Sequence, residues 1–189
     1  MHVRELILIG LFVLAAPAVQ AQNLVTNPGF ETGDFTGWTL TGDGDSIVDI
    51  GVGHTGMYAA SLGAIPPDQN DLTQPLTTKV GQSYVLSFFA QTPEFNNPPG
   101  FPNSLAVYFG DTLVAGPFQV PDDPNYQAYS YLVTATAPTT LLHFVVTNEP
   151  DYTQLDDISV VAVPEPGTLA LLLGGGCGAG IWRRRSRRR

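Results

Sequence analysis

From residue 22 to residue 163 the β-branched and aromatic residues come in short runs, each closed by Gly, Pro or Asn. Nowhere in this segment do apolar residues recur at the spacing of a helix face. Runs of that length between turn residues suit strands. The sequence predicts strands at residues 46–50, 83–91, 104–109, 128–136, 141–147 and 158–163. In the fourth the alternation is sharp: Tyr129, Tyr131, Val133 and Ala135 share one face, and Ser130, Leu132, Thr134 and Thr136 the other. Strands joined by short turns, with no helix among them, make an all-β fold, an antiparallel β-sandwich. Residues 93–103 (PEFNNPPGFPN) form the one long irregular stretch and read as a surface loop.

Residues 22–163 are enough for a single domain with one core. Its charge is lopsided. Arg4 and the six terminal arginines lie outside it, which leaves Lys79 alone against fifteen acids. Phosphate contacts need Lys and Arg, so nucleic acid is excluded as a partner. A strongly acidic polysaccharide is disfavoured unless metal ions bridge, whereas neutral glycans and divalent cations remain open. Solubility at a cell surface is the plainer account of the same acidity. Disorder is set aside by the wealth of aromatic and β-branched residues.

Both ends read as devices that meet a membrane. Residues 1–21 hold Arg4, an apolar run over residues 6–18 and the ending Val19-Gln20-Ala21, the pattern of a cleaved signal peptide. Residues 167–182 are uncharged and apolar, and Arg183, Arg184 and Arg185 open an arginine-rich terminus. As a helix those sixteen residues reach about 24 Å, a short single transmembrane span whose arginines stay in the cytoplasm. Pro164-Glu165-Pro166 stands just outside the span, where two prolines keep the chain extended and accessible. Cys177, the single cysteine, lies inside it as a small apolar residue, so the exported domain has no disulfide.

Pro-Glu-Pro, a short apolar helix and an arginine-rich end, in that order, resemble the PEP-CTERM family of sorting signals. The resemblance covers residues 163–189, with the sorting segment itself at 164–189. It implies that Pro164, Glu165 and Pro166 are recognised by an exosortase, a membrane-embedded processing enzyme of Gram-negative bacteria that make exopolysaccharide. Arg183, Arg184 and Arg185 carry over as the retention signal. The implied route is export, a transient stay in the inner membrane, then the cell surface or secretion.

Three short motifs mark the domain: Asn27-Pro-Gly-Phe-Glu31 near its start, His54-Thr-Gly-Met-Tyr-Ala-Ala-Ser-Leu-Gly63, and Leu155-Asp-Asp-Ile158 near its end. Together they resemble carbohydrate-binding-module-like jelly rolls of the galactose-binding-like superfamily, over most of residues 23–163. The resemblance implies a jelly-roll sandwich, often with a structural calcium ion between the first and last strands. It leaves open whether sugar is bound or the fold is plain scaffold. Glu31 with Asp156 or Asp157 are the candidate ligands, joined by carbonyls of the Gly53–His54 turn. Strand alternation sends Asp156 and Asp157 opposite ways, so one is the ligand and the other solvated. The same three acids serve equally as edge charges that deter aggregation.

Sugar recognition wants an aromatic ring beside planar polar groups. Tyr108, Tyr126, Tyr129 and Tyr152 are candidates, with Phe95, Asn96, Asn97 and Phe101 in the long loop; Tyr126 and Tyr129 are chosen for carbohydrate binding. Trp38, Phe88 and Phe144 read as core. Catalysis has little to stand on. No nucleophile elbow, zinc motif or phosphate loop occurs, and His143 sits among apolar residues as a structural side chain. The expectation is a non-enzymatic surface or matrix protein interacting with extracellular polysaccharide, or alternatively a structural component with no specific ligand.

Overall fold

A computed structural model of the chain describes residues 22–42, 44–93, 103–148 and 151–164. The signal peptide, loop residues 94–102 and the sorting segment beyond Pro164 lie outside the described residues. So do the expectations placed on Glu165, Pro166, Arg183, Arg184 and Arg185. Among the described residues the chain is all-β. Its ten strands are β1 (Thr39–Gly42), β2 (Ser46–Ile50), β3 (Tyr58–Leu62), β4 (Asn70–Thr77), β5 (Ser83–Thr92), β6 (Ser104–Phe109), β7 (Thr112–Phe118), β8 (Asp123–Thr134), β9 (Thr139–Thr147) and β10 (Thr153–Ala162). They form two five-stranded antiparallel sheets, β1-β4-β9-β6-β7 and β2-β3-β10-β5-β8, packed as a jelly-roll sandwich.

Alternation decides what lies between the sheets. On β5, Tyr84, Leu86, Phe88 and Ala90 point inward and are buried, while Val85, Ser87 and Phe89 point out. Phe88 lies in the core, with Phe144 edge-on at 5.2 Å and Tyr129 stacked at 5.0 Å. Trp38, Phe88 and Phe144 are all buried, as expected.

The six expected strands are present, and four more were not foreseen. β3 reads Tyr-Ala-Ala-Ser-Leu, and its small residues carry no β-branched signal, yet four of its five positions are buried. β4 contains Pro75, which ordinarily argues against a strand. However, β1 pairs with β4 only at residues 70–73, so Pro75 sits where that side of β4 has no ladder to break. β7 is interrupted by Gly116-Pro117, and its pairing with β6 slips twice.

The two ends of the domain meet. Asn23 bridges Val161, the Leu24 amide donates to the Val160 carbonyl at 2.9 Å, and the Ile158 amide donates to the Pro28 carbonyl at 2.9 Å. The Asn27-Pro-Gly-Phe-Glu31 stretch is thereby laid against the Leu155-Asp-Asp-Ile158 stretch. Within it Asn27 and Phe30 take positive φ angles of 49° and 56°, which turns the Phe30 ring fully into the core against Trp38 at 5.7 Å. The Trp38 indole N–H donates back to the Asn27 carbonyl at 3.2 Å.

Candidate functional site

Two places on the sandwich carry polar and aromatic groups that the core does not use. The first is the outward face of β1-β4-β9-β6-β7. Register places Thr39, Thr73, His143 and Tyr108 in one row across four strands, and Thr41, Asp71 and Val145 in the next. His143 Nε2 lies 2.6 Å from Asp71 Oδ1, and the imidazole lies beside the Tyr108 ring at 5.4 Å with 25° between planes. Asp71 holds the imidazole in place, and the ring pair makes a flat patch flanked by three threonines. His143 is thus a satisfied residue, as its apolar neighbours suggested, yet it faces out, at the patch.

The second place gathers Glu31, Asp156 and Asp157, as expected from closure of the chain ends. Asp156 is wholly buried. Its Oδ2 accepts the amides of His54 (2.6 Å) and Thr55 (3.1 Å), and its Oδ1 accepts the Asp157 amide at 2.7 Å. Glu31 Oε1 accepts the amides of Met57 and Tyr58, each at 3.0 Å. Loss of water pushes the Asp156 carboxyl up to about 6, against the lowering effect of its amide donors.

Here the alternation rule fails. Asp157 sits at φ 49° where the β10–β5 register shifts between Asp156 and Ser159. The bulge brings both carboxylates to the same turn. Asp157 Oδ2 lies 2.7 Å from His54 Nδ1, and Asp157 Oδ1 accepts the Thr55 hydroxyl at 2.6 Å. The His54 ring in turn stacks on Phe89 at 3.7 Å.

Carboxylate oxygens are the donor type a calcium ion takes, and the domain's one Lys or Arg is Lys79. A Cβ placed on Gly29 would come 3.1 Å from Asp156 Oδ1 and 3.6 Å from Asp157 Oδ1, so the acids crowd one point of backbone. The turn, however, offers Asp156 amide hydrogens where carbonyls were expected. Among the described residues no three His, Cys, Asp or Glu side chains are grouped as a metal ion holds them.

The two chosen tyrosines are placed differently from the expectation. Tyr129 faces inward, stacked on Phe88 and tilted against Phe118 at 5.2 Å, and burial raises its phenol's pKa. It is a core ring with a wet edge, on the face it shares with Val133. Tyr126 leans edge-on against His54 at 5.3 Å and donates its hydroxyl to the Val52 carbonyl at 2.8 Å. Burial, then the carboxylates of Asp156 and Asp157, hold its phenol well above the ordinary value. Tyr126 braces the turn that the acids grip. Tyr108 is the one that reaches an outward patch, and strand parity alone points it there once β6 is paired.

Residues 162–188 match the model of the PEP-CTERM protein-sorting motif. No curated protein matches the chain. The fold is similar to TmCBM61, solved in complex with β-1,4-galactotriose: 18% identity over 76% of this chain and 100% of that one, TM-score 0.60. It is also similar to the CBM22-1 xylan-binding domain of Paenibacillus barcinonensis Xyn10C, with 17% identity over 79% and 99%, TM-score 0.60. The enzymatically active domain of bacteriophage CBA120 tailspike protein 4 shares the architecture over 75% of this chain and 21% of its own, at 15% identity and TM-score 0.54.

A Cβ on Gly56, whose φ is +69°, would meet the Glu31 carboxylate at 2.3 Å, whereas one on Gly51, at φ +82°, would meet nothing within 4 Å. Both Gly→Ala changes strain the backbone, but only Gly56→Ala also expels Glu31 from its amides. We expect Gly56→Ala to cost about 1–3 kcal/mol more than Gly51→Ala in denaturant unfolding. Equal costs would mean that Glu31 does not hold the turn.

Proposed function

We propose that this exported domain binds neutral polysaccharide through the outward face of β1-β4-β9-β6-β7. The observation that carries this is the Tyr108–His143 ring patch, fixed by Asp71 and rimmed by Thr39, Thr41 and Thr73. A pyranose presents an apolar C–H face and a girdle of hydroxyls. The ring patch suits the face, and a carboxylate with threonine hydroxyls suits the girdle. Fifteen acids against one base favour an uncharged glycan. That fold neighbours were solved with a galactotriose or named for xylan makes β-1,4-galactan and xylan the first probes.

The domain is read as non-catalytic. The fold neighbours solved with a galactotriose or named as a xylan-binding domain support that reading. In affinity electrophoresis of residues 22–163, one of these glycans should retard the domain, and Tyr108→Ala should weaken binding by about tenfold or more. Its melting temperature should stay put. Equal mobility in every glycan would replace this reading by that of a structural matrix component.

The acid cluster is the second part of the proposal. Glu31 with Asp156 or Asp157 would hold a structural calcium ion through the carboxylate oxygens that the turn's amides now cap. A cation there would relieve the burial cost that Asp156 now bears. Adding calcium to chelator-treated protein should raise the melting temperature by several degrees, as mass-action linkage requires. No shift at millimolar calcium would leave an amide-capped acid cluster and nothing more.

The sorting segment supplies delivery. An exosortase-type enzyme would read Pro164-Glu165-Pro166 at the membrane, with the arginines from Arg183 as the cytoplasmic stop; the match at residues 162–188 supports this. Replacing the three residues by alanine should strand uncleaved protein in the inner membrane, seen as a larger band in the membrane fraction. Unchanged processing would remove the tripeptide from the signal.

A further inference from the structure

The sandwich has four edge strands, and three are guarded. β1 is four residues long, β2 is five residues long and carries Asp49, and β7 carries Pro117 with two register slips against β6. Each is a recognised way to blunt a sheet edge. The fourth, β8, carries its acid and its proline, Asp123 and Pro124, only at its first two positions. It runs twelve residues, and from Asn125 to Ala137 the chain contains no charged residue and no proline. Among the described residues nothing pairs with its outer side from Ala128 to Thr134.

The ladder shows which backbone groups that side presents. Ala135 is bonded toward the β5 side: its amide donates to the Gln82 carbonyl at 3.0 Å, and its carbonyl accepts the Gly81 amide at 2.8 Å. Ser83 is turned to β10, since its carbonyl accepts the Val163 amide at 2.9 Å, so its register partner Thr134 is turned away from β5. In an antiparallel strand this orientation alternates. Ala128, Ser130, Leu132 and Thr134 therefore offer their N–H and C=O groups outward.

We propose that β8 pairs antiparallel with β8 of a second copy of this chain, about a two-fold axis at Tyr131, to give one continuous ten-stranded sheet. This register matches every outward group: Ala128 with Thr134 of the second copy, and Ser130 with Leu132. It also sets the two Tyr131 residues opposite each other as a close, non-hydrogen-bonded pair. The choice of a second copy rests on charge. A domain with fifteen acids and one base meets a second copy with least repulsion along its long uncharged stretch, Asn125 to Thr134 of β8. Beside it, Phe109, Leu113, Val114, Tyr131 and Leu132 line an open groove of about 400 Å³ between β7 and β8. Leu132 is 72% exposed and Leu113 47%. The axis brings the second copy's Tyr131 to the mouth of that groove, an apolar seat for an aromatic ring. The inference is independent of the glycan site, which occupies the other sheet.

The register can be read directly by disulfide trapping. In detergent-solubilised full chain with Cys177→Ala, mild oxidation should cross-link Tyr131→Cys into a covalent dimer, because the paired Cα atoms would lie about 4.5 Å apart. Thr134→Cys, on the same strand but six residues from its own copy across the axis, should stay monomeric. Leu132→Pro removes one outward N–H and no intramolecular ladder bond, so the fold should persist by circular dichroism. Sedimentation of that variant should show association weakened by about tenfold or more. A wild-type chain that stays monomeric throughout the micromolar range would overturn the proposal. So would a dimer indifferent to Leu132→Pro, equal trapping at residues 131 and 134, or a foreign strand found on β8.

Discussion

One buried carboxylate organises the end of the sandwich where both chain termini meet. Asp156 has no contact with water and accepts three backbone amides, two of them from the turn at His54 and Thr55. Those amides would otherwise be orphaned as the turn folds over the outward side of β10, and a charged acceptor binds them more strongly than a neutral one. Glu31 does the same for the amides of Met57 and Tyr58. The first segment, the turn before β3 and the last strand are thus tied together by side chains as well as by backbone bonds. The bulge at Asp157 belongs to the same arrangement, since a regular strand would send that carboxylate into the core.

Around this knot the aromatic residues divide by strand parity. Phe88, Phe144 and Tyr129 fill the space between sheets, Tyr126 and Phe89 hold His54 from outside, and Tyr108 pairs with His143 on the outward face of the other sheet. Hydrophobic burial and ligand recognition draw on the same residue types in a sandwich of this kind. What separates the two uses is the face, fixed by register with the neighbouring strand. Tyr108 and Tyr131 have much the same local sequence character, and only pairing sends one outward and the other toward the groove.

Much of the architecture was legible. The runs at residues 46–50 and 104–109 became strands without change, and alternation in the segment around Val133 named its inner face correctly. The meeting of Glu31 with the Asp pair followed from motifs at opposite ends of the domain. Three things were hidden for identifiable reasons. β3 hides because alanine and serine fit a buried strand without announcing it. β4 hides behind Pro75, which is harmless only because β1 is too short to reach it. The placing of Asp157 hides because a bulge cancels the period-two rule at the residue where the rule was applied. Tyr129 reads as a ligand residue by its type, whereas its alternation partners, Val133 and Ala135, turn it to the core.

The position of β10 has a consequence for the order of events in the cell. It is the last strand made, yet it lies in the middle of its sheet, between β3 and β5. Without residues 153–162 that sheet is two separate ribbons, β2 with β3 and β5 with β8. The pairs that close it join residues far apart in sequence, such as Leu155 with Ala60 and Gln154 with Gln91, so closure carries a loop-entropy cost and comes late. Pro164 follows β10 by two residues. Closing of the fold therefore waits for residues 153–162, which run straight into the stretch that matches the sorting motif.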